Sequence, residues 1–282
     1  MATGSSSTPD QTFAGRTAVI SGGSRGIGLA IATALGARGA NIVLLAKTDA
    51  PHPKLPGTIH TAVEEIEAAG GQATGIVGDV RNEDDVARAV QTAVDTYGGV
   101  DICINNASVL NLTPTEDLPI NRFDLMQQVN VRGTFLLTQK CLPYLRKSPN
   151  AHVLTLSPPL NMSAEWLGKH PGYMLAKYGM TLAAMGFAAE YADAAVASNC
   201  LWPESTIATA AVRNLLGGDD AVAHSRSPQI MADAAVAVLS KDSTQTGRCY
   251  LDVEVLAEDG VTDFSIYGGQ DPIEYDIFVD PQ

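Results

Sequence analysis

The apolar run Thr17-Ala18-Val19-Ile20 passes directly into Ser21-Gly22-Gly23-Ser24-Arg25-Gly26-Ile27-Gly28, and a helical pattern follows to Arg38. A short buried strand, a glycine-rich turn and a helix in immediate succession restrict the chain more than any other feature. Glycines let backbone amides approach a diphosphate closely, and the N-terminal end of a helix adds favourable partial charge there. The same alternation continues downstream. Further strands are expected at 41–46, 73–77, 100–104, 153–156, 195–201 and 250–253, and helices at 59–69, 86–97, 121–146, 172–192, 209–216 and 228–239. Strands alternating with helices imply right-handed crossovers and a parallel sheet covered on both faces. The expected fold is therefore α/β, a doubly wound sheet of about seven strands in a single domain.

That domain is expected over residues 12–264, after a flexible Ser/Thr/Gly-rich tail at 1–11 and before an acidic C-terminal tail at 265–282 that carries the apolar Ile273, Tyr275, Ile277 and Phe278. Such a domain is within the reach of 282 residues with 45% hydrophobic content. The net charge of -13 and the pI near 4.7 argue against nucleic acid or an anionic membrane as a partner. No apolar run approaches the ~20 residues that span a bilayer, and the first residues lack the basic and apolar regions of a signal peptide, so a cytoplasmic protein is expected. Cys103, Cys141, Cys200 and Cys249 lie far apart, and His52, His60, His152, His170 and His224 form no paired ligand pattern. Reduced core thiols and no metal site follow.

Two further stretches carry chemistry. Tyr173 and Lys177 stand four apart within the expected helix 172–192 and so share one helical face. A positive charge beside a phenol favours the phenolate, which fits the pair for proton transfer. Asn130, between Val129 and Val131 in the middle of the helix 121–146, reads as an inward-facing amide. At the end of the second strand, Lys47, together with Arg25 of the glycine turn, would accommodate a 2′-phosphate; Asp49 nearby leaves a free 2′-hydroxyl open. NADP(H) is thus favoured, with NAD(H) possible.

Set in this order, the pieces resemble the short-chain dehydrogenase/reductase family from Gly15 to Gly260, with the Rossmann-type fold. The loop Pro51-His52-Pro53-Lys54-Leu55-Pro56 and the segment Leu156-Ser157-Pro158-Pro159-Leu160-Asn161 look like its hydroxysteroid dehydrogenase-like subgroup. By that resemblance Ser21, Gly22, Ser24, Arg25, Gly26, Ile27 and Gly28 form the dinucleotide turn, Asp79 and Val80 meet adenine, and Asn106 and Ala107 follow Asn105 in the Asn-Asn-Ala segment, where Ser108 replaces a glycine. Asn130 corresponds to the asparagine of a proton relay, and Tyr173 and Lys177 to the catalytic pair. Pro203 would line the nicotinamide, with Ile207 and Thr209 at its carboxamide.

In one place the chain departs from the pattern. Ser157 matches the first of two strand-end serines, but Pro158 takes the position of the second, which hydrogen-bonds the substrate carbonyl. Ser157, Asn161 or Ser163 would then have to supply the hydroxyl or its equivalent. The implied reaction is hydride transfer between NAD(P)(H) and an apolar alcohol, aldehyde or ketone, terpenoid- or lipid-like. Leu160, Met162, Trp166, Leu215, Leu216 and Val222 are candidates for an apolar wall, in a homodimer or homotetramer. A dinucleotide-binding module without turnover is the alternative.

Overall fold

Seven parallel strands form one sheet in the computed structural model, which describes residues 10–52 and 55–281. In chain order the elements begin with β1 (Thr17–Ser21), α1 (Gly26–Gly36), β2 (Asn41–Ala46), α2 (Ile59–Ala68), β3 (Gln72–Val77), α3 (Glu83–Tyr97) and β4 (Ile102–Asn105). They continue with α4 (Ile120–Met126), a π-helical turn Gln127–Arg132, α5 (Gly133–Leu145), β5 (Ala151–Leu156), α6 (Ala164–Lys169), α7 (Pro171–Glu190) and β6 (Val196–Trp202). Then come α8 (Ala210–Val212), a second π-turn Arg213–Gly217, α9 (Gly218–Ala223), α10 (Gln229–Ser240), β7 (Cys249–Leu251) and α11 (Asp252–Glu258). The sheet order is β3-β2-β1-β4-β5-β6-β7.

The alternation of side chains along each strand sorts the core into two layers. Ala18 and Ile20 of β1 face a layer with Ile31 and Leu35 of α1, Ile66 of α2 and Ile230 of α10. Val19 faces the opposite layer, with Val86 and Val90 of α3 and Leu137 and Cys141 of α5. Because β1 pairs with β2 on one side and β4 on the other, the order reverses at β1. In such sheets a crevice opens beyond the carboxyl ends of the strands at the reversal. The glycine turn after β1 and the loop after β4 meet there.

The expected helix 121–146 is present but interrupted: α4 and α5 are joined by the π-turn, which holds Asn130. Single π-turns inside helices recur at functional sites. Three helices were not expected, α6, α9 and α11. The strand expected at 250–253 ends at Leu251 because the Asp252 carboxylate accepts the amides of Glu204 and Val253 and starts α11.

The stretch expected as an acidic C-terminal tail makes contacts with the domain. Tyr275 forms an antiparallel bridge with Ser205, Thr206 N–H donates to the Glu274 carbonyl at 2.9 Å, and Asp276 N–H donates to the Glu204 carbonyl at 2.9 Å. Beyond this bridge Phe278 is 2% exposed, with its ring 5.8 Å from Trp166, 6.0 Å from Tyr173 and 5.1 Å from Tyr178. Its φ of 75° lies in the left-handed region, which costs a bulky residue about 1–3 kcal/mol. Burial of the ring, roughly 1.5–3 kcal/mol, offsets that. Within this acidic stretch Phe278 and Val279 are buried and Ile277 is half-buried. Of the flexible N-terminal tail expected at 1–11, residues 1–9 lie outside the described residues; Asp10 pairs with Arg38 at 2.9 Å.

Candidate active site

The glycine turn is held shut against the loop after β4. Asn106 donates its side-chain amide to the carbonyls of Ser21 and Gly22, at 3.0 Å each, and the Ser21 hydroxyl accepts the amides of Asn106 and Ala107 at 3.2 and 3.1 Å. A Cβ on Gly22 would stand 2.9 Å from Ala107 Cα, and one on Gly28 would meet the Asn106 amide. No side chain caps α1 and no acidic residue lies in its first turn. Its first amides are therefore left for an anion. Across the crevice, Thr209 caps α8 and its methyl would be 3.4 Å from a Cβ on Gly26. Ser24 and Ile207 are buried and Ile27 is half-buried. These residues fit a dinucleotide diphosphate.

Beyond β2 and β3 two cations share one carboxylate. Lys47 Nζ lies 3.2 Å from Asp79, and Arg81 binds the same carboxylate at 2.6 Å. Arg81 above all, with Lys47 adding to it, holds the Asp79 carboxyl well below the usual carboxylate range. Arg25 donates to the carbonyls of Pro56 at 3.1 Å and Gly57 at 2.7 Å, which ties the glycine turn to the proline-rich loop. Asp49, the acid that left NAD(H) open, is paired with His60 at 2.7 Å. Val80 is buried against Gly133 at the start of α5.

Proline at N1 starts α7 two residues before Tyr173, where its fixed φ suits the first turn. Tyr173 is 6% exposed and Lys177 3%. The Lys177 ammonium donates to the Leu156 carbonyl at 2.9 Å and lies 4.8 Å from the centre of the Trp202 ring. Burial pushes its pKa down to about 7, opposed by the nearby Asp276. Burial likewise raises the Asp276 carboxyl to about 8, opposed by a hydrogen bond from Ile277 N–H and by Lys177. The Tyr173 phenol is driven far above its ordinary value by burial and by Asp276, and a hydrogen bond with the Ser108 side chain opposes that rise.

The remaining candidates take other positions. Asn130 is buried; its amide accepts Val109 N–H at 2.8 Å and donates to Val109 C=O at 3.1 Å, fixing the loop after β4. Ser157 is buried and donates to Cys200 Sγ at 3.3 Å. Asn161 donates to Asp280 at 2.8 Å and accepts the amide of Ser163, whose hydroxyl caps α6. Pro203 is buried. Four residues at the site were not singled out from sequence for these roles: Arg81, Ser108, Asp276 and Phe278. Ser108 was visible as the departure from glycine in Asn-Asn-Ala; the others carried no local signal. Leu160, Met162, Leu251, Phe278 and Val279 line an open cleft beside them.

Asp276 has a testable effect on stability. Its folded pKa of about 8 stands above the ordinary 3.8, so it favours the folded state fully below the lower value and less as pH rises through the higher. Asp276→Asn is expected to gain on the parent protein between pH 5 and pH 9, by about 2–4 °C in melting temperature for each kcal/mol relieved. Equal differences in thermal melts at the two pH values would rule out a buried, titrating Asp276.

Residues 16–217 match the short chain dehydrogenase family. The chain is 49% identical over 270 residues to hydroxysteroid dehydrogenase-like protein 2 of Xenopus tropicalis, covering 95% of this chain and 64% of that protein. Its identity to the human protein of the same name is 46%, again covering 95% of this chain and 64% of the relative. The chain thus spans just under two thirds of these relatives' length. A short chain dehydrogenase from Mycobacterium thermoresistibile has 55% identity and a TM-score of 0.90, covering 95% of this chain and 96% of that one. The chain belongs to the short-chain dehydrogenase/reductase family and is hydroxysteroid dehydrogenase-like within it.

Proposed function

We propose that this chain is an NADP(H)-dependent oxidoreductase interconverting an apolar alcohol and its aldehyde or ketone, of terpenoid- or lipid-like character. One observation carries the reading: Tyr173 and Lys177 are both buried one turn apart on α7, in a chain whose glycine turn leads into an uncapped helix. The dinucleotide, when bound, supplies or accepts the hydride. Ser21 and Asn106 hold the turn that receives the diphosphate, and Arg25 and Lys47 favour a 2′-phosphate over a free hydroxyl. The Tyr173 hydroxyl holds the proton that a carbonyl oxygen gains in reduction and takes it back in oxidation. Lys177, when charged, lowers the phenol's pKa. Asn130 keeps the loop after β4 in place through Val109. Leu160, Met162, Leu251 and Val279 supply an apolar part of a cleft that Asn161 and Asp280 also line, which supports a substrate with an apolar portion. Phe135, Leu182 and Met185, exposed on α5 and α7, support a homodimer or homotetramer.

The burial of Tyr173 under Phe278 favours one other reading, a dinucleotide-binding module without turnover. A single set of measurements separates the two: fluorescence titration with NADPH and NADH, cofactor oxidation with decanal, geranial and cyclohexanone, and light scattering on the same sample. NADPH binding tighter than NADH binding, with turnover of at least one carbonyl, is expected. Tight binding with no turnover on any of the three favours the module, and a monomer by scattering removes the oligomer.

A further inference from the structure

We infer that segment 274–280 is a gate over Tyr173: the Phe278 ring holds the place of a substrate's apolar portion and gives it up when the substrate enters. This rests on the reductase reading above. Phe278 stacks on the Tyr173 ring at 6.0 Å, 21° from parallel, and its other ring neighbours are Trp166 at 5.8 Å and Tyr178 at 5.1 Å. The same residue lines the cleft of Leu160, Met162, Leu251 and Val279. It therefore touches the cleft and the proton donor at once, and Tyr173 is left 6% exposed. A carbonyl bound in the cleft meets the phenol only once the ring has left.

The bonds that hold the segment divide it into a fixed base and a releasable outer part. At the base, Tyr275 bridges Ser205, and the amides of Thr206 and Asp276 donate to the carbonyls of Glu274 and Glu204. Further out, three side-chain donors hold it. The Trp202 indole N–H donates to the Ile277 carbonyl at 3.0 Å, and the Trp166 indole N–H and the Asn161 amide donate to the Asp280 carboxylate at 2.7 and 2.8 Å. Asp280 is exposed, and an exposed hydrogen bond exchanges for water at small net cost. Phe278 sits at a left-handed φ of 75°, a strain that release relieves. The outer part can thus swing away while the bridge keeps its base, as lids do about a few positions that absorb the backbone change. Trp166, Tyr173 and Tyr178 then surround the vacated place, which suits an apolar chain or ring.

The test compares the parent chain with Asp280→Ala and Asp280→Asn. Chymotrypsin cuts after Phe278 only in molecules whose outer segment has left the fold, so its rate there, read by mass spectrometry, follows the open population. Steady-state rates with NADPH and either decanal or 9,10-phenanthrenequinone report the effect on substrate, because apparent affinity is reduced by the fraction that is closed. Asp280→Ala is expected to raise the cutting rate about 3- to 10-fold and kcat/KM by about the same factor, mainly through a lower KM. Its NADPH dissociation constant should stay within about twofold, and its melting temperature within about 3 °C, as for an exposed side chain. Asp280→Asn keeps an oxygen acceptor without the charge and should fall between the two. In the parent, a carbonyl that is reduced, given with NADP+ so that it is not turned over, should itself speed cutting after Phe278. Three results overturn the gate: an unchanged cutting rate in Asp280→Ala, faster cutting there with unchanged or lower kcat/KM, or a carbonyl that does not speed cutting in the parent. Turnover by the parent then leaves the reductase reading standing. A parent that reduces neither probe overturns that reading and the gate with it.

Discussion

Tyr173→Phe is expected to lower kcat/KM by about 10²- to 10⁴-fold, the usual contribution of a positioned proton donor. The substitution removes one oxygen and keeps the ring. Phe278, 6.0 Å away and nearly parallel, keeps its stacking partner. One hydroxyl is lost, so the stability cost is about 0.5–1.5 kcal/mol. NADPH affinity should change little, because Ser21, Asn106 and the uncapped end of α1 are untouched. The measurements are steady-state rates with a carbonyl that the parent reduces, and cofactor fluorescence on the same preparations. Turnover within a few-fold of the parent would remove Tyr173 as the proton donor; loss of activity together with loss of NADPH binding would mean that the fold, not the chemistry, had been damaged.

The contrast between Tyr173 and Ser108 shows which parts of this site the sequence makes legible. Tyr173 and Lys177 are four apart on one helix, and the glycine turn lies between one strand and its own helix. Local spacing carries both, as it carries the strand and helix alternation that places seven strands in order. Asn130 could be read as facing inward from its two valine neighbours, and it does; that it clamps Val109 depends on a loop 21 residues upstream. Ser108 and Tyr173 belong to the loop after β4 and the start of α7, far apart in the chain, and no short pattern relates them. The C-terminal stretch is harder still. Phe278 reaches Trp166, Tyr173 and Tyr178 after a path that follows β7 and α11, and its acidic neighbours resemble those of a solvated tail. Asp280 shows why the acidity misleads: its carboxylate accepts the Trp166 indole N–H at 2.7 Å and fastens the segment in place.

Gly28→Ala should be the most damaging small change in the chain. Gly28 lies in the first turn of α1 without a left-handed φ, so close approach rather than backbone freedom demands glycine there. A Cβ would run into the Asn106 side-chain amide and stand 2.8 Å from the Gly22 carbonyl oxygen. The amide cannot turn aside freely, because it donates to Ser21 and Gly22 at 3.0 Å each. Either Asn106 is expelled, which frees the loop carrying Ser108, or α1 retreats from the turn and its amides no longer converge. Overpacking of this kind costs about 1–3 kcal/mol, and the misplaced amides should weaken NADPH binding by about 100-fold or more. Gly186→Ala provides the comparison, because a Cβ at this position in α7 meets nothing within 4 Å. Relief of glycine's backbone entropy should stabilise that variant by about 0.5–1 kcal/mol and leave NADPH binding alone. Thermal melts and cofactor titrations of the two variants side by side decide the matter: Gly28→Ala binding NADPH as the parent does would mean that the clamp of Asn106 on the glycine turn does not shape the diphosphate site.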